Sequence, residues 1–237
     1  MEEILTRLLL ELEKSTIRGD SHRRIESFPA TGRPSMTSPA MILQIKVTLI
    51  GVKPSVWRRL QVPGSLSLKD LHQVIQVAFG WTDSHLHQFI ADGIFYGQPD
   101  PESGARAVSE SSVRVGEVLQ AEKDAMIYEY DLGDCWEHRI ILEQVFDPSG
   151  DTVAPSCVTG ARARPPEDCG GAWGYANLVK IMGDPTHPDH EDTIEWLGDD
   201  FRPEYFNLSD INGDLAGLKF RSLAKASAGT ARKRKMT

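Results

Sequence analysis

The sequence predicts an α+β domain: a β-grasp-like mixed sheet in the order strand, strand, helix, strand, strand, strand, with a C-terminal loop and short helices packed on it. Three observations lead there. Residues 41–62 alternate with a period of two on either side of Gly51-Val52-Lys53-Pro54-Ser55, as a hairpin does. Residues 67–80 switch to helical spacing. Residues 85–146 return to β-branched and aromatic runs, so the helix must cross one face of a sheet to join the two sets of strands.

In the first strand Leu43, Ile45, Val47 and Leu49 alternate with Gln44, Lys46 and Thr48, so one face is apolar. Val56 to Val62 returns as the second strand and Pro63-Gly64 stops it. Ser67 caps a helix in which Leu68, Leu71, Val74, Ile75, Ala78 and Phe79 form one stripe; Asp70 completes a capping box and Gly80 ends the helix. His85 to Tyr96 reads as a strand turning at Asp92-Gly93, and Pro99 to Ser112 as loop. Val115 to Gln120 is a short helix, and Ala125–Tyr130 and Trp136–Phe146 are strands. Pro148 to Gly171 has the Pro/Gly/Arg composition of a long loop. Tyr175–Met182 and Asp189–Leu197 are helices, Pro203–Asp210 is a third short piece, and no internal repeat is visible.

The domain therefore spans 41–220. Before it, 1–40 holds a short amphipathic helix (Ile4, Leu5, Leu8, Leu9, Leu12) and a flexible Ser/Pro/Arg/Gly linker. After it, 221–237 is a basic disordered tail with six Lys or Arg and no acid. The chain of 237 residues carries a net charge of −8, concentrated as acid in the body. An acidic body repels a phosphate backbone, which argues against a general nucleic-acid surface, though residues 231–235 offer a weak nucleic-acid contact. No apolar run approaches the ~20 residues of a membrane span. The acidic start Met1-Glu2-Glu3 is unlike a signal peptide, and three Cys do not make a disulfide scaffold, so a reduced, cytoplasmic protein is expected.

Two segments concentrate chemically capable side chains: Phe79-Gly80-Trp81-Thr82-Asp83-Ser84-His85-Leu86-His87 and Tyr130-Asp131-Leu132-Gly133-Asp134-Cys135-Trp136-Glu137-His138. With Leu49 to Arg59, Leu71-His72, Pro165-Pro166-Glu167-Asp168-Cys169-Gly170-Gly171, Gly174-Tyr175, Asp184-Pro185 and His187-Pro188, they are the motifs by which the chain resembles the root-inducing-plasmid ORF-three-like family, also known as an insertion-element passenger protein family. The resemblance covers roughly 41–215. It implies an α+β fold and a cytoplasmic protein of plasmids, mobile elements or bacterial chromosomes; it implies no reaction, because the family's role is not established. Members often carry Cys where this chain has Arg164, which weakens a Cys-pair metal site.

From the residues themselves, His85 and His87 lie two apart on an expected strand and so face one side. With Asp131, Asp134 and His138 they form a candidate set for Zn, Mn or Fe(II). The plainer alternative is an Asx turn at 131–134 and hydrogen-bonded core histidines. Trp57, Arg58, Arg59, Trp81 and Trp136 suggest an aromatic and cationic surface for a planar or anionic ligand; alternatively the Trp rings are core and Arg58 or Arg59 pairs with Asp131, Asp134 or Glu137. The 165–171 loop brings Glu167 and Asp168 toward the site. Cys135, Cys157 and Cys169 lack paired-ligand spacing and read as free thiols, and His187 and His190 sit at a helix start where Asp189 is a cap. No nucleophile motif is present. The functional expectation is a non-enzymatic binding or interaction domain with a protein partner. The alternatives are a metal-dependent hydrolase-type enzyme using the His/Asp set, and a nucleic-acid accessory protein acting through the tail.

Overall fold

The computed structural model describes residues 41–98, 107–147, 154–198 and 201–220. The helix and linker expected over 1–40 and the tail expected over 221–237 lie outside the described residues. Eight strands form one sheet: β1 Ile42–Leu49, β2 Trp57–Pro63, β3 His87–Ala91, β4 Ile94–Gly97, β5 Val108–Ser109, β6 Ala125–Tyr130, β7 Trp136–Phe146 and β8 Ser156–Ala161. Their spatial order is β5-β4-β3-β6-β7-β1-β2-β8. Every pairing is antiparallel except the short β4–β5 contact at one edge.

The helices are α1 Leu68–Phe79, α2 Val115–Val118, α3 Gly171–Met182, α4 His190–Leu197 and α5 Leu208–Ala216. Helix α1 starts as the sequence requires: the Ser67 hydroxyl accepts from the Asp70 amide and the Asp70 carboxylate accepts from the Ser67 amide. It ends at Gly80, whose φ of 83° is the left-handed cap that glycine adopts without a Cβ clash. Its apolar face covers Leu43, Ile45, Val47 and Leu49 of β1, Leu60 and Val62 of β2, and Ile140 and Leu142 of β7, which together form the core. Helix α5 packs against both β8 and α1.

The α+β class and the hairpin-then-helix beginning agree with the sequence. The β-grasp expectation reduces to those first elements, because the strands at the centre of the sheet, β6, β7 and β1, pair antiparallel rather than parallel. The expected third strand is a hairpin, β3–β4, folded at Asp92-Gly93 with φ of 49° and 76°. The expected loop 148–171 contains β8, which pairs with β2 at the sheet edge. Its composition hid it: an added Cβ at Gly160 would meet the Trp57 carbonyl at 2.7 Å and the Phe206 ring at 2.6 Å, so glycine there reports close approach and not a turn. Among the described residues no helix is long and apolar enough to cross a membrane.

Candidate functional site

Strand pairing brings the two motif segments together, with His87 opposite Tyr130, Tyr128 opposite His138 and Tyr130 opposite Trp136. Their side chains nevertheless go to three separate places. The first is a polar network inside the core. The Gln76 amide donates to the Tyr128 hydroxyl at 2.9 Å, that hydroxyl lies 2.8 Å from His72 Nδ1, His72 Nε2 lies 2.8 Å from Asp83 Oδ1, and the Asp83 amide returns to Gln76 Oε1 at 2.9 Å. The neutral His72 tautomer with its proton on Nε2 satisfies every step of this loop. His87 stacks flat on His72, with ring centroids 3.5 Å apart, and its Nε2 lies 2.8 Å from buried Glu110. Burial, and then the neighbouring His87, lower the His72 pKa to about 4. Burial also pushes the Tyr128 hydroxyl well above its ordinary range.

The second place is the aromatic core. His138 is fully buried; its Nδ1 bonds to the Trp136 carbonyl at 2.9 Å, its Nε2 has no hydrogen-bond partner among the described residues, and burial lowers its pKa to about 4. Phe79 and Trp81 meet its ring edge-on, and Trp81 packs on Trp136 and Tyr130.

The third is a solvent-facing cluster around His85. Its Nδ1 lies 3.7 Å from Asp131 Oδ2, and its Nε2 lies 3.4 Å from Asp168 Oδ1 and 3.8 Å from Glu167 Oε2. Asp131 and Asp168 have φ of 56° and 55°, a region that Asp enters more readily than most residues. Asp134 takes a different part: its Oδ2 accepts from the Gly170 amide at 3.1 Å, fastening the 165–171 loop to the 131–134 turn. That contact requires Gly171, where a Cβ would sit 2.6 Å from the Asp134 carbonyl.

The five-residue set His85, His87, Asp131, Asp134 and His138 therefore does not converge. Strand β3 begins only at His87, so the two-residue spacing does not put both imidazoles on one face. His87 joins Glu110, His138 joins the Trp core, Asp134 clamps a loop, and only His85 and Asp131 stay together, with Glu167 and Asp168 added.

The proposed aromatic and cationic surface is likewise divided. Trp57 and Arg59 lie on one sheet face, where Lys46 and Arg59 cover the Trp57 ring, while Trp81 and Trp136 are buried on the other. Neither arginine pairs with Asp131, Asp134 or Glu137. Arg59 makes a bidentate bridge to Glu143 at 2.6 and 3.0 Å, which draws the Glu143 carboxyl below its ordinary range. Arg58 is 3% exposed and takes no carboxylate partner among the described residues. Its Nε donates to the Ala78 carbonyl and its Nη1 to those of Trp57 and Ala161, while its Nη2 has no hydrogen bond among the described residues. Burial brings its pKa down to about 10.

Arg58 lines a cavity of about 510 Å³ that the sequence did not reveal. Phe79 and Phe206 sandwich its guanidinium, with centroids 4.9 and 5.0 Å away. Trp196, Phe201 and Tyr205 add aromatic surface, and Glu167 and Arg164 stand in the wall. Arg164 lies 5.1 Å over the Trp81 ring and donates to the Gly80 carbonyl. The cavity is invisible in sequence because its walls come from β2, the end of α1, the 163–167 loop, 196–197 and 201–214. His72 stood in a motif but read as one more helix residue, and Glu110 fell in an expected loop.

The three cysteines are free: Cys135 is exposed, Cys157 is buried, and burial pushes the Cys169 thiol up to about 12. His187 accepts from the Asp189 amide and His190 Nδ1 lies 3.0 Å from the Ile181 carbonyl. Asp189 stands at the N-cap of α4, with no side-chain capping bond.

This chain is 37% identical over 193 residues to the uncharacterized protein y4hQ of Sinorhizobium fredii, covering 81% of this chain and 99% of that one. It is also similar to the crystal structure of a protein of unknown function, MM3350, from Methanosarcina mazei Go1. There the TM-score is 0.65 at 35% identity, over 72% of this chain and 97% of that one. The sequence profile of the plasmid pRiA4b ORF-3-like proteins matches residues 41–210, the whole sheet with the aromatic core and the His85 cluster, and the chain belongs to that family.

Proposed function

We propose that the domain is a non-enzymatic binding module whose cavity takes a small ligand with a planar apolar body and an anionic group. The observation that carries this reading is Arg58: a charged group 3% exposed, sandwiched between two rings on the wall of a 510 Å³ cavity, with one nitrogen left without a hydrogen bond among the described residues. Removing a guanidinium from water is costly, and carbonyls answer only part of it. The C-terminal end of α1, where Ala78 accepts from Arg58, contributes partial negative charge, and a bound anion supplies the rest. The volume lies within the roughly 300–1,000 Å³ typical of small-molecule sites, and the lining of aromatic surface with few polar groups suits one. The exposed carboxylates of Asp210 and Asp214, also in the lining, favour a ligand whose outer end is neutral or cationic.

The test uses 8-anilino-1-naphthalenesulfonate as an aromatic anion and Nile red as a neutral counterpart. Saturable binding of the sulfonate is expected. It weakens by about tenfold or more in Arg58→Met, as loss of a charged hydrogen bond implies, while Nile red is retained. Ala163→Trp, which fills the cavity, abolishes both. Unchanged sulfonate binding in folded Arg58→Met refutes the reading.

A further inference from the structure

We infer that His85 Nε2 and Asp168 bind a first-row divalent metal ion, with Glu167 beside them and Asp131 holding the imidazole from behind. This goes beyond the cavity and does not rest on it. Three chain segments that are distant in sequence meet here: the approach to β3, the turn after β6 and the 165–171 loop.

The separations are the first argument. His85 Nε2 stands 3.4 Å from Asp168 Oδ1 and 3.8 Å from Glu167 Oε2. These are long for hydrogen bonds. They are near the roughly 3.4 Å that separates two ligands on a tetrahedral ion with bonds of about 2.1 Å.

The second argument is how the carboxylates are held. Glu167 uses Oε1 to accept from the Thr82 amide and hydroxyl at 3.0 and 2.9 Å, while its buried Oε2 has no hydrogen-bond partner among the described residues. Asp131 uses Oδ1 to accept from the Gly133 and Asp134 amides, which leaves Oδ2 facing His85 Nδ1 at 3.7 Å from a side chain only 9% exposed. Glu167 and Asp131 are each anchored through one oxygen and offer the other to the same imidazole. A histidine that ligates through one nitrogen commonly gives its other N–H to a carboxylate, and Asp131 is placed to receive it. Three carboxylates converging on one ring repel one another unless a cation lies among them.

The neighbouring group His72, Asp83 and His87 also has ligand-like spacing but lacks this openness. Both nitrogens of His72 already have partners at 2.8 Å. One imidazole with carboxylates, and no thiolate, suits Mn²⁺ or Zn²⁺.

The experiment is calorimetric titration of the chelator-treated full chain with Mn²⁺ and with Zn²⁺ separately, alongside thermal melts. One equivalent of at least one ion is expected to bind and to raise the melting temperature. Asp168→Asn, at a side chain 74% exposed, is expected to fold normally and to bind about a hundredfold more weakly. Asp131→Asn weakens binding by about tenfold or more as a positioning residue. Asp83→Asn leaves binding unchanged, which separates this site from the His72 group. The proposal is overturned if neither ion binds saturably, if Asp168→Asn binds as the wild type does, or if Asp83→Asn abolishes binding.

Discussion

Acidification from pH 7 to pH 5 should destabilise this domain by about 4 kcal/mol through two buried histidines, His72 and His138. Each ring has a pKa of about 4 in the fold, caused first by burial, against about 6.5 in the unfolded chain. The unfolded chain therefore holds more protons between those values, and stability falls as pH falls. The contribution is intact above pH 6.5 and fully lost below pH 4, where the difference amounts to about 3 kcal/mol per ring. Integrated from pH 7 to 5, it is about 2 kcal/mol for one ring and about 4 for both. Glu143, whose carboxyl is held low by Arg59, acts in the same sense, but its stabilisation is lost only as pH falls through and below the ordinary carboxylate range, outside this window. Urea unfolding at pH 7, 6 and 5 measures the effect, and His138→Leu should halve it to about 2 kcal/mol. A stability independent of pH over this range, or the same loss in His138→Leu as in the wild type, would refute the assignment of the two rings as neutral.

Two further outcomes follow from packing and charge. Gly174→Ala should lower stability by about 3 kcal/mol or prevent docking of α3, because its Cβ would lie 1.9 Å from the Cys169 carbonyl, inside any tolerable contact; a melt within error of the wild type would show that the loop yields freely. Glu143→Gln should cost no more than about 1 kcal/mol, since Arg59 and Glu143 are 29% and 22% exposed and their attraction is screened by water; guanidinium-free unfolding at low and high salt reads both the loss and its salt dependence.

The legible parts of the sequence were those in which one local rule decides the outcome. Ser67 with Asp70 and Gly80 bracketed α1, and β6 and β7 were set by aromatic and aliphatic residues interspersed with polar ones. What could not be read depends on neighbours distant in the chain. Gly160 in β8 is explained only by Phe206 and the Trp57 carbonyl. His85 and His87 look like one unit at two-residue spacing, yet the strand starts between them and each turns to its own partners. Glu167 and Asp168 were expected near the site because a rigid Pro-Pro start and a Gly-Gly end constrain the loop, and the Asp134–Gly170 bond holds it against the 131–134 turn. The cavity had no signature, because Arg58 alternates with Trp57 and Arg59 along β2 like any inward residue.

The same motifs hold two kinds of polar group, and hydrogen-bond accounting separates them. Around His72 every donor meets an acceptor, and the loop through Gln76, Tyr128 and Asp83 closes on itself. Such a network fixes the packing of α1 on the sheet, and nothing is left over for a ligand. Around His85 and Arg58 the accounting does not close: Glu167 Oε2 and Arg58 Nη2 have no hydrogen-bond partner among the described residues, and both residues line the same cavity. Glu167 Oε2 is buried and unmatched at the cavity wall, unlike His138 Nε2, which is unmatched but wholly enclosed, so it is at Glu167 that a partner from outside the chain would be stabilised. Glu167 belongs to the His85 cluster and to the cavity wall at once, so an ion held by His85 and Asp168 would sit beside the space into which Arg58 draws an anion.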